Sequence, residues 1–144
     1  MRKQVCTFLI DSFQKDSENM TKITNCALTT TLNLIGGKYK IEILYYLTRG
    51  TKRFNELQKY LPKATAKVLS SKLKELEEDG FIDKKIYPVI PPKTEYSLTE
   101  RGKSLAPLIL AIYEWGTSYF KEIGHENLCN VEELERLNQL VKDR

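Results

Sequence analysis

Hydrophobic residues recur at the three- and four-residue spacing of a helix through most of the chain, which predicts a mainly α-helical protein. The first four predicted helices end at glycines or, in one case, at Pro62, since both residue types stop a helix. Thr65 can cap the fourth helix, because its hydroxyl can accept a hydrogen bond from a backbone amide of the first turn. These helices are predicted over residues 27–35, 40–49, 54–60 and 66–79.

Two segments in the middle of the chain have the composition of strands. They span residues 81–87 and 94–98. The loop between them contains Pro88, Pro91 and Pro92, which indicates a β-hairpin. Two helices joined by a tight turn and followed by a hairpin make a winged helix-turn-helix. The predicted fold class is therefore mainly α with a small β-hairpin (α+β).

The last part of the chain is predicted to be helical again. Thr99 can cap a long helix that begins at Glu100 and bends at Pro107, and another amphipathic helix spans 131–141. Apolar residues of the long helix cover two faces, which is more than one small domain can bury. We therefore predict a homodimer joined by the terminal helices. Its interface is expected to contain Ile109, Ile112, Tyr113, Trp115 and Phe120.

Aromatic residues near this helix support a second interpretation, a ligand pocket at the dimer interface. Aromatic side chains bury large areas, so core and interface packing is the favoured account. The residues concerned are Tyr45, Tyr46, Tyr113, Trp115, Tyr119 and Phe120.

Positive charge is concentrated around the predicted helix pair and hairpin. The chain has 23 basic and 19 acidic residues, a net charge of +4. Between Lys52 and Lys93, ten basic and six acidic residues account for this excess, because thirteen of each cancel elsewhere. A positive surface of that kind favours nucleic acid as the partner.

The fourth predicted helix is expected to enter the major groove of double-stranded DNA, where residues near its start reach base edges. Lys67 suits a guanine edge or a phosphate, and Ala66 can contact a thymine methyl group. The lysines between Lys63 and Lys74 are expected to have no acid nearby, and the acidic run from Glu75 to Asp79 is interpreted as solubilising. The predicted DNA-binding residues are Arg53, Lys63, Thr65, Ala66, Lys67, Ser70, Ser71, Lys74, Lys85 and Lys93.

Seven segments of the chain carry a resemblance to a known family. They are residues 34–40, 50–57, 73–80, 87–88, 91–93, 95–100 and 114–116. In their order and composition they resemble the HxlR-type winged-helix transcriptional regulators, a bacterial family related to the MarR group. The resemblance covers residues 26 to about 120. It predicts an N-terminal extension over 1–25, the winged domain with its dimerisation helix over 26–125, and a C-terminal helix over 126–144.

The resemblance implies a homodimer in which each subunit places one helix and one wing on a half-site of a near-palindromic operator. We expect such a protein to repress transcription. Three positions depart from the family pattern. Tyr39 stands where Trp is usual, Lys93 where Arg is usual, and Ala66 where Gln is common. The loss of that Gln removes a base reader, so the operator sequence cannot be taken from relatives.

Three cysteines, Cys6, Cys26 and Cys129, form neither a disulfide framework nor a zinc pattern. The resemblance singles out Cys26, which matches a cysteine that senses electrophiles or disulfide stress in some family members. A helix N-terminus lowers the pKa of a thiol and favours the reactive thiolate. A half-buried packing residue is an interpretation of equal weight. On the first interpretation, an electrophile or other small molecule is the effector.

Other classes of function are less well supported by the sequence. A winged-helix module for protein or RNA contact has the same fold, but its contact face would be more apolar. An enzyme is not expected, because no phosphate-binding glycine loop, nucleophile elbow or metal-ligand spacing is present. Neither a metal nor a cofactor is predicted. No apolar run reaches membrane-spanning length or forms a signal peptide, so a cytoplasmic protein is expected.

Overall fold

The computed structural model describes residues 22–126 together with residues 139, 141 and 142. It divides the chain after Gly37 into two compact units. The predicted N-terminal extension and C-terminal helix fall almost entirely outside the described residues, so both stay predictions. Within the part of the chain that the structure describes, no helix is long and apolar enough to cross a membrane.

The first unit contains helix α1 (Ala27–Ile35), at the bounds predicted from the sequence. Cys26 is its N-cap residue and has extended backbone angles. The helix stops at Gly36, whose backbone N–H donates to the carbonyl oxygen of Leu32 at 2.7 Å. A Cβ atom on Gly36 would collide with that same carbonyl oxygen, so no larger residue fits this turn without a shift of the backbone.

The second unit combines five helices with a small antiparallel sheet in the described residues. The strands lie in the order β1-β3-β2, so β3 is central. The predicted hairpin is confirmed to within one residue at each strand. The two-residue β1 was not predicted, because such a short segment carries no pattern. The helices are α2 (Lys40–Leu47), α3 (Phe54–Tyr60), α4 (Ala66–Glu78), α5 (Glu100–Lys103) and α6 (Ala106–Glu122), and the strands are β1 (Lys52–Arg53), β2 (Ile82–Tyr87) and β3 (Lys93–Leu98).

The core of the second unit forms between α2, α4 and the sheet. Leu69, Leu73 and Leu76 are buried along one side of α4, as their spacing predicts. Each leucine buried in this way stabilises the fold by about 1.5–3 kcal/mol relative to an exposed one. Helix α4 contacts both α2 and β2. The inward face of α4 is therefore fixed, and its opposite face is set outward.

The predicted long helix from Glu100 is two helices, so that prediction was wrong. Helix α5 ends at Lys103, and α6 begins at Ala106 with Pro107 in its first turn. Proline lacks a backbone N–H, but the N–H groups in the first turn of a helix have no carbonyl partner within the helix, so no hydrogen bond is lost there. Pro107 therefore starts a helix here instead of bending one. The predicted cap by Thr99 is confirmed, since its hydroxyl accepts from the backbone N–H of Gly102 at 3.1 Å.

Tyr39 precedes α2 in a conformation that the sequence did not predict. Its φ of 77° is in the left-handed region, and its side chain is buried. A non-glycine residue held there costs on the order of 1 kcal/mol or more. Burial of the Tyr39 ring offsets this strain and fixes the direction in which α2 begins.

Candidate nucleic-acid interface

The turn between α3 and α4 is held by one side chain. The amide nitrogen of Gln58 donates to the carbonyl oxygen of Ala64 at 2.6 Å. The Thr65 hydroxyl then accepts from the backbone N–H of Val68 at 3.2 Å, which confirms the predicted cap of α4. The turn and the cap together fix the position of the first turn of α4 relative to α3.

The outward face of α4 carries the side chains that the sequence singled out. Ala66, Lys67, Ser70, Ser71 and Lys74 are all exposed, and the leucine stripe lies on the other side of the helix. This face begins at the helix N-terminus, where the peptide dipoles concentrate partial positive charge. Hydroxyl and ammonium groups are thus presented together on a surface that suits an anionic partner.

The expectation that the lysines of this region have no acid nearby was wrong at two positions. Lys72 contacts Glu75 at 3.0 Å, and Lys74 lies 3.8 Å from Glu78. Residues three and four apart are neighbours on a helix, so the acidic run reaches back to these lysines. The Lys74–Glu78 pair is exposed and long, which makes it worth little. Lys67 has no carboxylate within ion-pair distance among the described residues.

Glu75 is part of a partly buried charge cluster with Lys40 and Lys72, so solubility does not account for it. The Lys40 ammonium lies 2.6 Å from its carboxylate, and the Lys40 side chain is only 4% exposed. Burial acts to raise the pKa of Glu75, but hydrogen bonds from Lys40 and Lys72 outweigh it and lower the pKa below its ordinary value. The cluster connects the start of α2 to the middle of α4, so it helps to position the outward face.

The sequence interpretation missed Lys40, although one signal was present. A cation in the first turn of a helix opposes the helix dipole. Such a placement needs compensation from a nearby acid, and Glu75 supplies it from α4.

The C-terminal end of α4 is tied to the start of α5. A guanidinium nitrogen of Arg101 donates to the backbone carbonyl of Asp79 at 2.9 Å. The Thr99 hydroxyl donates to the carbonyl of Gly80 at 2.6 Å. The cation of Arg101 offsets the acidic residues at this helix end, which are unfavourable there. These bonds hold α4 in a fixed relation to the strand that precedes α5.

The hairpin of β2 and β3, which we call the wing, presents cations on one face. In the register of the sheet, Glu95 of the central strand β3 lies between Lys85 of β2 and Arg53 of β1. Lys93 lies further along the same face, since side chains alternate along a strand. The ion pair from Arg53 to Glu95 spans 3.6 Å, and the Arg53 side chain remains half exposed. Asp83 of β2 lies on this face by the same alternation, so three cations and two carboxylates leave it with a net positive charge.

A cleft of about 400 Å³ lies between the tip of the wing and the start of α3. Its polar groups include Asn55, which the sequence interpretation did not select. Amide and ammonium groups in such a cleft can donate hydrogen bonds to an anion. The lining residues are Arg53, Phe54, Asn55, Pro91, Pro92, Lys93 and Thr94.

Helix α6 divides the predicted dimer residues between two faces. Ile109 is only 3% exposed within its own chain, so its assignment to the interface was wrong. Tyr113 is half-buried and stacks on Tyr45 at 6.3 Å between ring centroids, and Phe120 is also half-buried. The opposite face is an exposed apolar stripe at helical spacing, in which Trp115 is 69% exposed. This stripe consists of Leu108, Ile112, Trp115, Tyr119 and Ile123.

Cys26 lies at the N-terminus of α1, as the sequence predicts, and it is half-buried. Its backbone N–H donates to the Thr24 hydroxyl at 3.2 Å, and that hydroxyl donates to the Cys26 carbonyl at 3.0 Å. The first turn of α1 contains no acidic residue. The local charge therefore does not oppose a thiolate at this position.

A helix pair with an outward basic flank, followed by a positively charged hairpin, defines a winged helix-turn-helix protein. The family model described as HxlR-like helix-turn-helix matches residues 34–124. The chain belongs to this family of transcriptional regulators.

Individual relatives agree with this membership. The HTH-type transcriptional regulator YdeP of Bacillus subtilis strain 168 is 51% identical over 94 residues, which are 65% of this chain and 73% of YdeP. The regulator YybR of the same strain is 42% identical over 119 residues, 83% of this chain and 88% of YybR. The solved structure of the redox regulator HypR in its oxidised form is 45% identical, with a TM-score of 0.62. It matches 65% of this chain and 96% of the HypR chain.

Proposed function

We propose that this protein is a repressor that binds a near-palindromic DNA operator as a homodimer. The observation that carries the proposal is the outward flank of α4. Lys67, Ser70 and Ser71 are exposed there, in the first two turns after the cap at Thr65. A helix of this kind fits the major groove and brings residues of its first turns to base edges. Membership of a regulator family supports the same partner.

The side chains divide into two groups by the part of DNA that they reach. Lys67, Ser70, Ser71 and Ala66 are proposed to contact bases, because they lie in the first two turns of α4. The Thr65 hydroxyl accepts its capping bond and still has a proton to donate to a phosphate oxygen. The remaining cations are proposed to bind phosphates and so to position the domain. They are Arg53, Lys63, Lys74, Lys85 and Lys93.

The variant Lys67→Ala is expected to weaken binding to a preferred duplex by about 1–3 kcal/mol and to relax the choice of base at one position. Lys93→Ala removes a phosphate contact instead. It is expected to weaken binding to all duplexes alike and to reduce the salt dependence by about 0.9 log units per log unit of salt. The measurement is competition binding against duplexes that differ at single base pairs.

Lys121→Ala is the matched control, since Lys121 is an exposed lysine on α6, outside the proposed surface. It should leave both affinity and base preference unchanged. An unaltered base preference in Lys67→Ala would show that Lys67 does not read a base.

The homodimer is supported by the exposed stripe on α6. Five large apolar residues on one helix face are costly to leave in water, and a second copy of the same stripe can cover them. Two copies related by a twofold axis would present two α4 helices. Their half-sites are expected to be centred about 34–36 Å apart, or a multiple of one DNA turn.

We further propose that Cys26 responds to oxidants or electrophiles and thereby weakens operator binding. Its position at a helix N-terminus supports this, and so does the similarity to the redox regulator HypR. Diamide treatment is expected to lower the operator affinity of the wild-type protein by about 5–150-fold, the range of typical coupling between two sites. Operator titration before and after treatment is the measurement.

The cysteines provide their own controls. Cys26→Ser should bind the operator normally and lose the response to diamide. Diamide oxidises two thiols to one disulfide, whereas a quinone adds to a single thiol. Cys6→Ser and Cys129→Ser, which lie outside the described residues, should therefore retain the response to a quinone, and loss of the diamide response in either would identify the second thiol. A diamide effect that persists in Cys26→Ser would assign the sensing role to another residue.

A further inference from the structure

The tip of the wing carries apolar side chains where a solvated loop normally has polar ones. Ile90 is fully exposed, Ile86 is 61% exposed, and Val89 is nearly half exposed. Ile86 lies near the end of β2, and Val89 and Ile90 follow in the connecting loop, so three exposed apolar residues occur within five positions at the end of the hairpin. No single residue of this kind would be unusual, but three together at a protruding tip indicate a binding surface.

The surroundings of this apolar tip identify the kind of partner. Lys84 and Lys85 precede it on β2, and Lys93 follows it on β3, all with exposed side chains. A partner that covers the tip must therefore also accept a ring of ammonium groups. The minor groove of DNA meets both requirements, since phosphates line its edges and its floor accepts apolar wedges.

The cleft beside the wing provides a site for a phosphate on one edge of that groove. Its lining includes Arg53, Asn55 and Lys93, which together offer guanidinium, amide and ammonium donors. Pro91 and Pro92 form the wall of the cleft next to Ile90. A DNA strand held in the cleft would therefore pass directly beside the apolar tip.

A basic wing is expected to follow the minor groove next to each half-site, and we propose that Ile90 at its tip acts there as an apolar wedge against or between base pairs. The neighbouring phosphate lies in the cleft of Arg53, Asn55 and Lys93. Wedges of this type partly unstack a base step, so flexible pyrimidine–purine steps are favoured at that position. This inference rests on the proposed operator binding and adds a second point of sequence preference.

The test uses a duplex that the wild-type protein selects from a random-sequence pool. Ile90→Ala is expected to bind this duplex about tenfold more weakly, because it loses the apolar contact while every charge remains. 2-Aminopurine, placed in turn at each step flanking the half-sites, reports unstacking by increased fluorescence. We expect an increase at one flanking step with the wild-type protein and none with Ile90→Ala.

Ile23→Ala is the matched control, because Ile23 is an exposed isoleucine outside the wing. It should preserve both the affinity and the fluorescence increase. Wild-type affinity in Ile90→Ala, or no fluorescence increase at any flanking step, would overturn the wedge. Loss of dimer in Ile90→Ala with unchanged affinity per dimer would also overturn it and would assign the tip to a second copy. Failure of the wild-type protein to select any duplex would instead refute the proposed function.

Discussion

Glu75→Gln is expected to lower the free energy of unfolding by about 1–3 kcal/mol, because the buried Lys40 ammonium exchanges the carboxylate 2.6 Å away for a neutral amide. A loss of that size is a large fraction of the stability of a small domain. Urea or thermal unfolding of the variant and the wild-type protein measures it. The variant should also bind DNA more weakly at temperatures where it remains folded, since the cluster positions α4 against α2.

Two comparisons separate the charge cluster from a general effect of losing an acid. Glu77→Gln, at an exposed position of the same helix, should change stability by less than about 0.5 kcal/mol. The double variant Lys40→Met with Glu75→Leu should recover most of the loss, because apolar residues often replace a buried ion pair without cost. A Glu75→Gln protein as stable as the wild type would contradict the role of the cluster.

The same cluster makes stability depend on pH in a defined direction. The pKa of Glu75 is lower in the folded protein than its ordinary value, since Lys40 and Lys72 outweigh the effect of burial. At pH values between the folded and the unfolded pKa of Glu75, the unfolded chain therefore binds more protons than the folded protein. The contribution of Glu75 is fully present above about pH 5 and is lost as the pH falls through its folded pKa. Glu75→Gln should lack this part of the acid sensitivity.

Trp115→Glu combined with Ile112→Glu is expected to separate the proposed dimer and to reduce operator affinity by about 10²–10⁴-fold. Each variant places a carboxylate in the exposed apolar stripe, where a second copy would have to bury it. A separated subunit binds one half-site and loses the gain from linked binding at two. Sedimentation analysis and operator titration at the same protein concentration are the measurements.

Ser118→Glu is the control for each single substitution, because it adds one carboxylate to an exposed position of α6 beside the stripe. It should remain dimeric and bind the operator normally. The double variant would contradict the proposed interface if it stayed dimeric, and it would contradict linked binding if it became monomeric with unchanged affinity.

Local sequence patterns were sufficient for most of the architecture. The leucine spacing in α4, the cap at Thr65 and the strand pair of the wing are each determined by residues close together in the chain. The leucine spacing also predicted that Lys67, Ser70 and Ser71 lie on the outward face, because they are on the side of the helix opposite the leucines.

Features that depend on distant residues could not be predicted. The contact between Lys40 and Glu75 joins residues 35 positions apart, and neither one reveals its partner. The burial of Ile109 depends on which face of α6 packs inside the chain, although both faces are apolar. The apolar character of the wing tip was visible in the sequence, but its complete exposure at Ile90 was not.

The most direct test of DNA recognition by α4 is a binding titration at several salt concentrations. It compares the duplex selected by the wild-type protein with a duplex of the same composition in scrambled order. We expect binding to the selected duplex to be at least about 10³-fold tighter, and its affinity to fall by about 0.9 log units per log unit of salt for each phosphate contacted. Equal affinity for the two duplexes, or binding that does not change with salt, would contradict the account.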